Sequence, residues 1–212
     1  LLAALSDLPI TTLVQNINDE RTNRILGTSN RVLQGEGVIR DKIHELAFEI
    51  SPLSFFQNNP SQTDVLYSKA LEYSELTGNE TVFDIYCGIG TISLFLAGKA
   101  AKVVGIESVE SAISDARRNA ALNGIEHTEF HVGKAEQLMP ELYAQGVTAD
   151  VVVIDPPRKG CDKAVLQTLV AMAPRRLVYV SCNPHTLARD LAWLVKQGFV
   201  LDEVQPVDMF PQ

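Results

Sequence analysis

The chain has 212 residues, 46% hydrophobic and 21% charged, with 18 Lys and Arg against 26 Asp and Glu for a net charge of −8. This ordinary globular composition excludes a disordered, collagen-like or disulfide-scaffold protein. No apolar run approaches the roughly 20 residues of a membrane helix. The acidic balance argues against nonspecific coating of nucleic acid, which needs a basic surface, but leaves room for an enzyme with local contacts.

Leu1 to Leu8 has neither a basic n-region nor a small-residue cleavage site, so no secretory signal is expected. A start on Leu1 rather than Met reads as a fragment or a trimmed chain. Cys87, Cys161 and Cys182 lie far apart with no CxxC pair, which argues against disulfides or a zinc ribbon and for a reducing, cytoplasmic setting. His44, His127, His131 and His185 have no metal-ligand spacing with them, so no metal site is expected.

Residues 1–56 are expected to form a β-rich partial domain or insertion. Thr11 to Asn16 is β-branched and flanked by turn formers. Arg31 to Ile43 carries two glycines between apolar runs, a hairpin signal. His44 to Ile50 alternates, with Leu46, Phe48 and Ile50 on one face. Residues 57–212 then change to strands alternating with amphipathic helices. A helix is expected over Thr63–Thr77, and strands over Thr81–Tyr86, Lys102–Ile106, Glu129–Val132, Val151–Ile154 and Leu177–Val180. Helical patterns near Ile92–Ala97, Ser111–Asn123, Ala135–Gln145, Lys163–Met172 and Pro184–Gln197 separate them. This is the pattern of βαβ units and an α/β fold: a mostly parallel sheet with helices on both faces. Phe199 to Pro211 reads as one more strand and a turn.

Ligands of such sheets bind beyond the carboxyl ends of the strands, so the residues there carry the functional reading. After the first strand comes Asp84-Ile85-Tyr86-Cys87-Gly88-Ile89-Gly90, a GxG turn that fits either a tight turn or a ligand cradle. After the second comes Glu107, either a solvated acid or an acceptor for ribose hydroxyls. Together they favour an adenosine-containing ligand. Ser93 at the third glycine position of the dinucleotide fingerprint tilts the choice toward S-adenosylmethionine, which has no phosphate to cradle. Asp155-Pro156-Pro157 after the fourth strand is a stiff ledge with a carboxylate at its base. Cys182, between a strand end and a helix start, has the surroundings of a nucleophile rather than of core packing.

Phe55-Phe56-Gln57-Asn58-Asn59, Asp84 to Gly90, Gly105-Ile106-Glu107, Asp155-Pro156-Pro157-Arg158-Lys159-Gly160 and Ser181-Cys182-Asn183-Pro184 occur in this order. In this the chain resembles the S-adenosylmethionine-dependent RNA uridine C5-methyltransferases over roughly residues 52–212. The resemblance implies a Rossmann-like methyltransferase fold, truncated at the C-terminus and preceded by part of the small β-rich domain. It implies Cys182 as nucleophile, with Gln57, Tyr86, Gly88, Gly90, Thr91, Glu107 and Asp155 at the cofactor. Phe56, Asp155 and Arg158 would meet the RNA. The Arg-Lys-Gly after Asp-Pro-Pro looks more like the 23S ribosomal RNA branch than the transfer RNA branch.

Two departures stand out. Gly133-Lys134-Ala135 replaces an acid that the family often has after the third strand. The family's general-base glutamate, in a His-Val-Glu element beyond a Phe-Pro-Gln like Phe210-Pro211-Gln212, is absent from this chain. The RNA-binding barrel and the iron–sulfur cysteines of many members would belong to a missing N-terminal part, making this the catalytic portion of a longer enzyme. RNA is the expected partner, with no membrane and no obligate protein partner. Arg158, Lys159, Arg175, Arg176 and Arg189 are either phosphate contacts or solvated surface charges. Amino-group methylation of adenine or cytosine is the second enzyme reading, although Arg158 stands where that chemistry uses an aromatic residue. A non-catalytic RNA-binding module is the third.

Overall fold

The computed structural model describes residues 5, 7–19, 25–27 and 29–211. Residues 1–4 and 6, more than half of the stretch read for a leader, lie outside the described residues, as does Gln212, the end of the Phe-Pro-Gln element.

Two antiparallel pairs open the chain. Strands β1 (Leu13–Ile17) and β2 (Ser29–Gln34) form one ribbon, and β3 (Ile39–Ile43) pairs with β4 (Leu46–Ile50) in another. The hairpin expected across residues 31–43 is therefore not formed. Its glycines turn the chain back onto β1 instead: Thr12 Oγ1 accepts from Gly37 N at 2.8 Å and donates to Gln34 O at 3.0 Å. A Cβ on Gly35, at φ 74°, would lie 2.2 Å from Thr11 O. The actual hairpin turns at His44-Glu45, with His44 at φ 52°.

From there the chain alternates: α1 (Pro60–Ser74), β5 (Thr81–Ile85), α2 (Thr91–Ala97), β6 (Lys102–Glu107), α3 (Glu110–Leu122), β7 (Thr128–Val132) and α4 (Ala135–Ala144). It continues with β8 (Val151–Ile154), α5 (Lys163–Met172), β9 (Arg176–Tyr179) and α6 (Pro184–Lys196). The strands make one parallel five-stranded sheet in the order β7-β6-β5-β8-β9. Alternate side chains divide between its faces. Val82, Val103, Val151 and Val153 pack with Tyr67, Ala70, Ile92, Ile113 and Ala116, and the β3–β4 hairpin adds Ile43, Phe48 and Ile50 to that same core. Phe83, Ile85, Val104, Ile106, Val152 and Ile154 pack on the other face with Met139, Val165, Leu169 and Leu194. Strands covered on both sides read as continuous apolar runs, which is why Val151–Ile154 stood out in the sequence.

The hairpin is held by two asparagines one turn apart, Asn119 on α3 and Asn123 at its C-cap. Asn119 Oδ1 accepts from Glu49 N, and Asn123 Oδ1 accepts from Ala47 N, both at 2.8 Å; Asn123 Nδ2 donates to Ala47 O at 2.7 Å. Side-chain amides thus satisfy the open edge of β4 as a neighbouring strand would. Residues 199–211 do not form the expected strand. Val200, Leu201, Val204 and Phe210 are 51% or more exposed, and the segment has no ladder partner among the described residues. It runs back across the molecule instead, pairing Asp202 with Arg176 and accepting a hydrogen bond from Asn59 Nδ2 at Met209 O, 3.1 Å.

Candidate active site at the carboxyl edge of the sheet

The sheet order reverses at β5, which lies between β6 and β8. Such a switch point opens a crevice beyond the strand ends. Register fixes what borders it: Tyr86 N and Cys87 N both donate to Ile106 O, at 2.8 and 3.1 Å, and Asp155 N donates to Ile85 O at 3.2 Å. Val180 N donates to Ile154 O at 2.8 Å, bringing the start of the Ser181–Pro184 element alongside Asp155.

The turn after β5 is tightly wound. Tyr86 has φ 68°, Gly88 54° and Gly90 81°. A left-handed tyrosine is a strained residue held by its surroundings. A Cβ on Gly88 would meet nothing within 4 Å, so Gly88 faces open space, whereas Gly90 backs onto Ala116 and Phe130 at 3.2 Å. The Tyr86 phenol lies by Cys161 and the Asp162 backbone; burial raises its pKa, with the Cys161 and Glu136 charges adding. Thr91 begins α2, and its Oγ1 lies 2.9 Å from the Tyr67 hydroxyl.

Two carboxylates border the crevice and a third is buried within β5. Glu107 Oε1 accepts from Ser108 Oγ and Val109 N, each at 2.9 Å, leaving Oε2 without a protein partner among the described residues. Asp155 is pushed up to about 6 by burial. Asp84 is fully buried; its Oδ2 accepts from Ser93 Oγ at 2.5 Å, while Oδ1 has no partner among the described residues. Burial pushes its pKa up to about 7 against the Ser93 hydrogen bond, with repulsion from Asp155 and Glu107 adding.

The loop after β8 is fastened to α6. The Arg158 carbonyl accepts from Asn183 Nδ2 at 3.0 Å and Thr186 Oγ1 at 3.2 Å. The Lys159 carbonyl accepts from Arg189 at 2.9 Å, and Asp190 Oδ2 accepts from Cys161 N at 2.9 Å and from the Tyr179 hydroxyl at 2.7 Å. Asn183 also caps α6, its Oδ1 accepting from His185 N at 3.0 Å. Cys182 precedes this cap and is exposed, whereas Cys87 and Cys161 are buried. Burial pushes the Cys87 thiol well above its usual range and Cys161 to about 11.

The structure thus gathers Tyr86, Gly88, Gly90, Thr91, Glu107, Asp155 and Cys182 along one sheet edge. Gln57 is half-buried in the segment entering α1. Phe56 packs its ring 5.9 Å from that of Phe48, while Phe55 is 74% exposed, so the freely accessible ring of the pair is Phe55. Arg158 and Lys159 are exposed at this edge. Arg175 and Arg176, weighed as phosphate contacts, sit at the opposite edge and pair with Glu75. Arg189 pairs with Asp190. Gly133 admits Leu138, whose Cδ1 would lie 2.6 Å from a Cβ there. Tyr67 and Asp190 were not singled out in the sequence, because polar residues on helices carry no local signal of what they face. No helix among the described residues is long and apolar enough to cross a membrane.

Sheet order, glycine turn and strand-end acids together define the Rossmann-like fold of S-adenosylmethionine-dependent methyltransferases. A methyltransferase of that kind from Agrobacterium tumefaciens superposes with a TM-score of 0.61 at 17% identity, over 80% of this chain and 61% of that one. The family model "tRNA (Uracil-5-)-methyltransferase" matches residues 12–212, and the chain belongs to that family. An uncharacterized RNA methyltransferase of Oceanobacillus iheyensis is 58% identical over 202 residues, 95% of this chain and 44% of the relative. One from Caldanaerobacter subterraneus is 57% identical over 199 residues, 94% of this chain and 44% of the relative. The chain therefore spans less than half the length of these relatives. The crystal structure of Pyrococcus abyssi tRNA (uracil-54, C5)-methyltransferase with S-adenosyl-L-homocysteine matches with a TM-score of 0.79 and 34% identity, covering 95% of this chain and 48% of that one.

Proposed function

We propose that this chain carries the catalytic face of an RNA methyltransferase that moves a methyl group from S-adenosylmethionine to carbon 5 of a uridine, with Cys182 as nucleophile. The observation that carries this reading is the exposed Cys182 thiol, next to a capped helix start that is fastened to the Asp155 loop.

The residues present fit the cofactor. Gly88 opens onto free space, the Glu107 Oε2 is available to ribose hydroxyls, and the buried Asp84 Oδ1 lacks a partner among the described residues. When bound, S-adenosylmethionine supplies an electrophilic methyl group on a sulfonium. Glu107 orients the ribose, and Gln57, Tyr86, Gly88, Gly90 and Thr91 line the remainder.

Cys182 Sγ adds to carbon 6 of the uracil ring, and the carbon 5–carbon 6 π pair shifts to make carbon 5 an enolate-like nucleophile. Carbon 5 would take the methyl group as the methyl–sulfur bond breaks, its electron pair staying on sulfur to leave the neutral thioether S-adenosylhomocysteine. The carbon-5 proton then leaves to a carboxylate base that the family resemblance puts beyond Gln212, and the returning electron pair expels Cys182. Asp155, with its raised pKa, has the proton affinity to hydrogen-bond the base edge in either protonation state. The target base must leave its stack to reach the thiol. Phe55 offers a stacking surface, and Arg158 and Lys159 offer phosphate contacts. The Arg158-Lys159-Gly160 element favours ribosomal over transfer RNA as substrate.

RNA carrying 5-fluorouridine tests this, because fluorine at carbon 5 blocks the final elimination. The expected result is a cofactor-dependent covalent adduct on Cys182, absent in Cys182→Ser and formed faster on 23S ribosomal than on transfer RNA fragments. Wild-type protein giving no adduct on either RNA overturns the nucleophile assignment, and a preference for transfer RNA overturns the branch.

A further inference from the structure

Tyr67 lies on the inner face of α1, 4% exposed, with its ring 6.0 Å from that of Phe95. Its hydroxyl meets Thr91 Oγ1 at 2.9 Å and has no other hydrogen-bond partner among the described residues. Two hydroxyls in contact share one proton and leave the other free to be donated elsewhere. If Thr91 donated, the proton left over would be the phenolic one, buried without an acceptor, which is costly. If Tyr67 donates, the leftover proton belongs to Thr91, which is only half-buried at the open side of the glycine turn. Burial therefore sets the direction: Tyr67 O–H gives to Thr91, and the Thr91 O–H is left free to donate on its open side.

The same phenol feels the carboxylates of Asp155 and Asp84, beyond the effect of its own burial. This sets it near the β5–β8 side of the crevice, while Glu107 stands at the end of β6 on the other side. Cys182 follows β9, so on the reading above a ligand whose ribose meets Glu107 has to carry its sulfonium, and the amino-acid end attached to it, across β5 on the side where Thr91 starts α2.

We propose that Tyr67 is a positioning residue of the cofactor site, orienting the Thr91 hydroxyl to donate to the carboxylate of the cofactor's methionyl group. This rests on the S-adenosylmethionine reading above. Tyr67 touches Thr91 rather than the ligand, and its contribution is to remove the rotational freedom of one hydroxyl before binding.

The test is calorimetric titration of S-adenosylhomocysteine and of 5′-methylthioadenosine, which keeps the nucleoside and lacks the amino-acid end, into the wild type, Tyr67→Phe, Thr91→Val and the double variant. The expected result is about fivefold weaker S-adenosylhomocysteine binding in each single variant, the worth of one net hydrogen bond. The double variant should be no weaker than either single one, and methylthioadenosine affinity should be unchanged. Ligand-free thermal unfolding of Tyr67→Phe should fall by no more than about 2–4 °C, the worth of one hydrogen bond in a chain of this size. Equal S-adenosylhomocysteine affinity in Tyr67→Phe and wild type overturns the proposal alone. So does a loss shared by methylthioadenosine, or losses that add in the double variant, since both mark a merely structural bond. A wild type that binds no S-adenosylhomocysteine removes the cofactor reading and this proposal with it.

Discussion

Asn183 holds Arg158: its side-chain Nδ2 donates to the Arg158 carbonyl at 3.0 Å while its Oδ1 caps α6 through His185 N. One amide side chain thus ties the loop that carries Asp155 and the exposed Arg158 to the helix that follows Cys182. Asn183→Ala removes both bonds. A lost cap costs about 1 kcal/mol, a melting shift of about 2–4 °C for a chain of this size. Fluorouridine adduct formation is expected to fall further than stability does, and Asn183→Asp, which keeps the cap and loses the donor, should restore the melting temperature without restoring the adduct rate.

Acidity should govern the stability of the ligand-free protein. Asp155 and Asp84 titrate at about 6 and about 7 when folded, against 3.8 ordinarily. Between about pH 4 and 7 the folded chain therefore binds more protons than the unfolded one, and stability falls as pH rises through that window. Glu80 works in the opposite sense. Hydrogen bonds from the Thr77 hydroxyl and N–H hold it down to about 2, so its contribution is full above 4.5 and lost as pH falls toward 2. Melting curves are expected to peak near pH 4, where the falling contribution of Asp155 and Asp84 overtakes the rising one of Glu80, and to decline by several degrees at pH 8. Asp84→Asn should flatten that decline, and an undiminished slope in Asp84→Asn would show that this carboxyl does not cause it.

Asn119 on α3 and Asn123 at its C-cap carry the hairpin. Asn119→Ala strands Glu49 N and O and the Ile89 carbonyl, and Asn123→Ala strands Ala47 N and O. Each should cost about 1–3 kcal/mol in denaturant unfolding. The double variant should lose less than the sum, because both serve one strand. Amide exchange at Ala47 and Glu49 should accelerate before that of β5 and β8.

Gly105 is needed for contact rather than for its backbone angle. A Cβ there would lie 2.5 Å from Phe130 Cδ1 and 2.9 Å from Cys87 Sγ, and Phe130 also backs Gly90. Gly105→Ala should destabilise by about 1–3 kcal/mol and weaken S-adenosylhomocysteine binding by displacing the turn. Adding Phe130→Leu should recover part of both losses, which a backbone effect at Gly105 would not allow.

The parallel sheet was legible because β5, β6 and β8 are buried on both faces and so form apolar runs, and because Pro184 marks a helix start; the helix expected over Thr63–Thr77 instead runs Pro60–Ser74, its start set by the Asn59 cap and Pro60. That Glu107, Asp155 and Cys182 share one edge was legible for a related reason: a parallel sheet gathers strand ends, so position after an apolar run becomes position at that edge. Pairings set by distant partners were not legible. The glycines at 35 and 37 marked a bend, but nothing local said that it returns to Thr12. Val200 and Val204 have strand-like side chains, but a strand exists only through its neighbour. Arg175 resembled a phosphate ligand until its partner, Glu75, came from 100 residues earlier.

Gly160 is compressed at φ 79°, where a Cβ would lie 2.5 Å from the Arg189 guanidinium and 2.6 Å from Asp190 Oδ2. Three anchor points, at Arg158, Lys159 and Cys161, are bonded around it to one helix and its cap. An insertion or deletion in this stretch would unseat all of them together and shift the thiol with them. Substitution in this loop is therefore free only at the outward side chains of Arg158 and Lys159, which are exposed: it can be re-lettered but not re-cut.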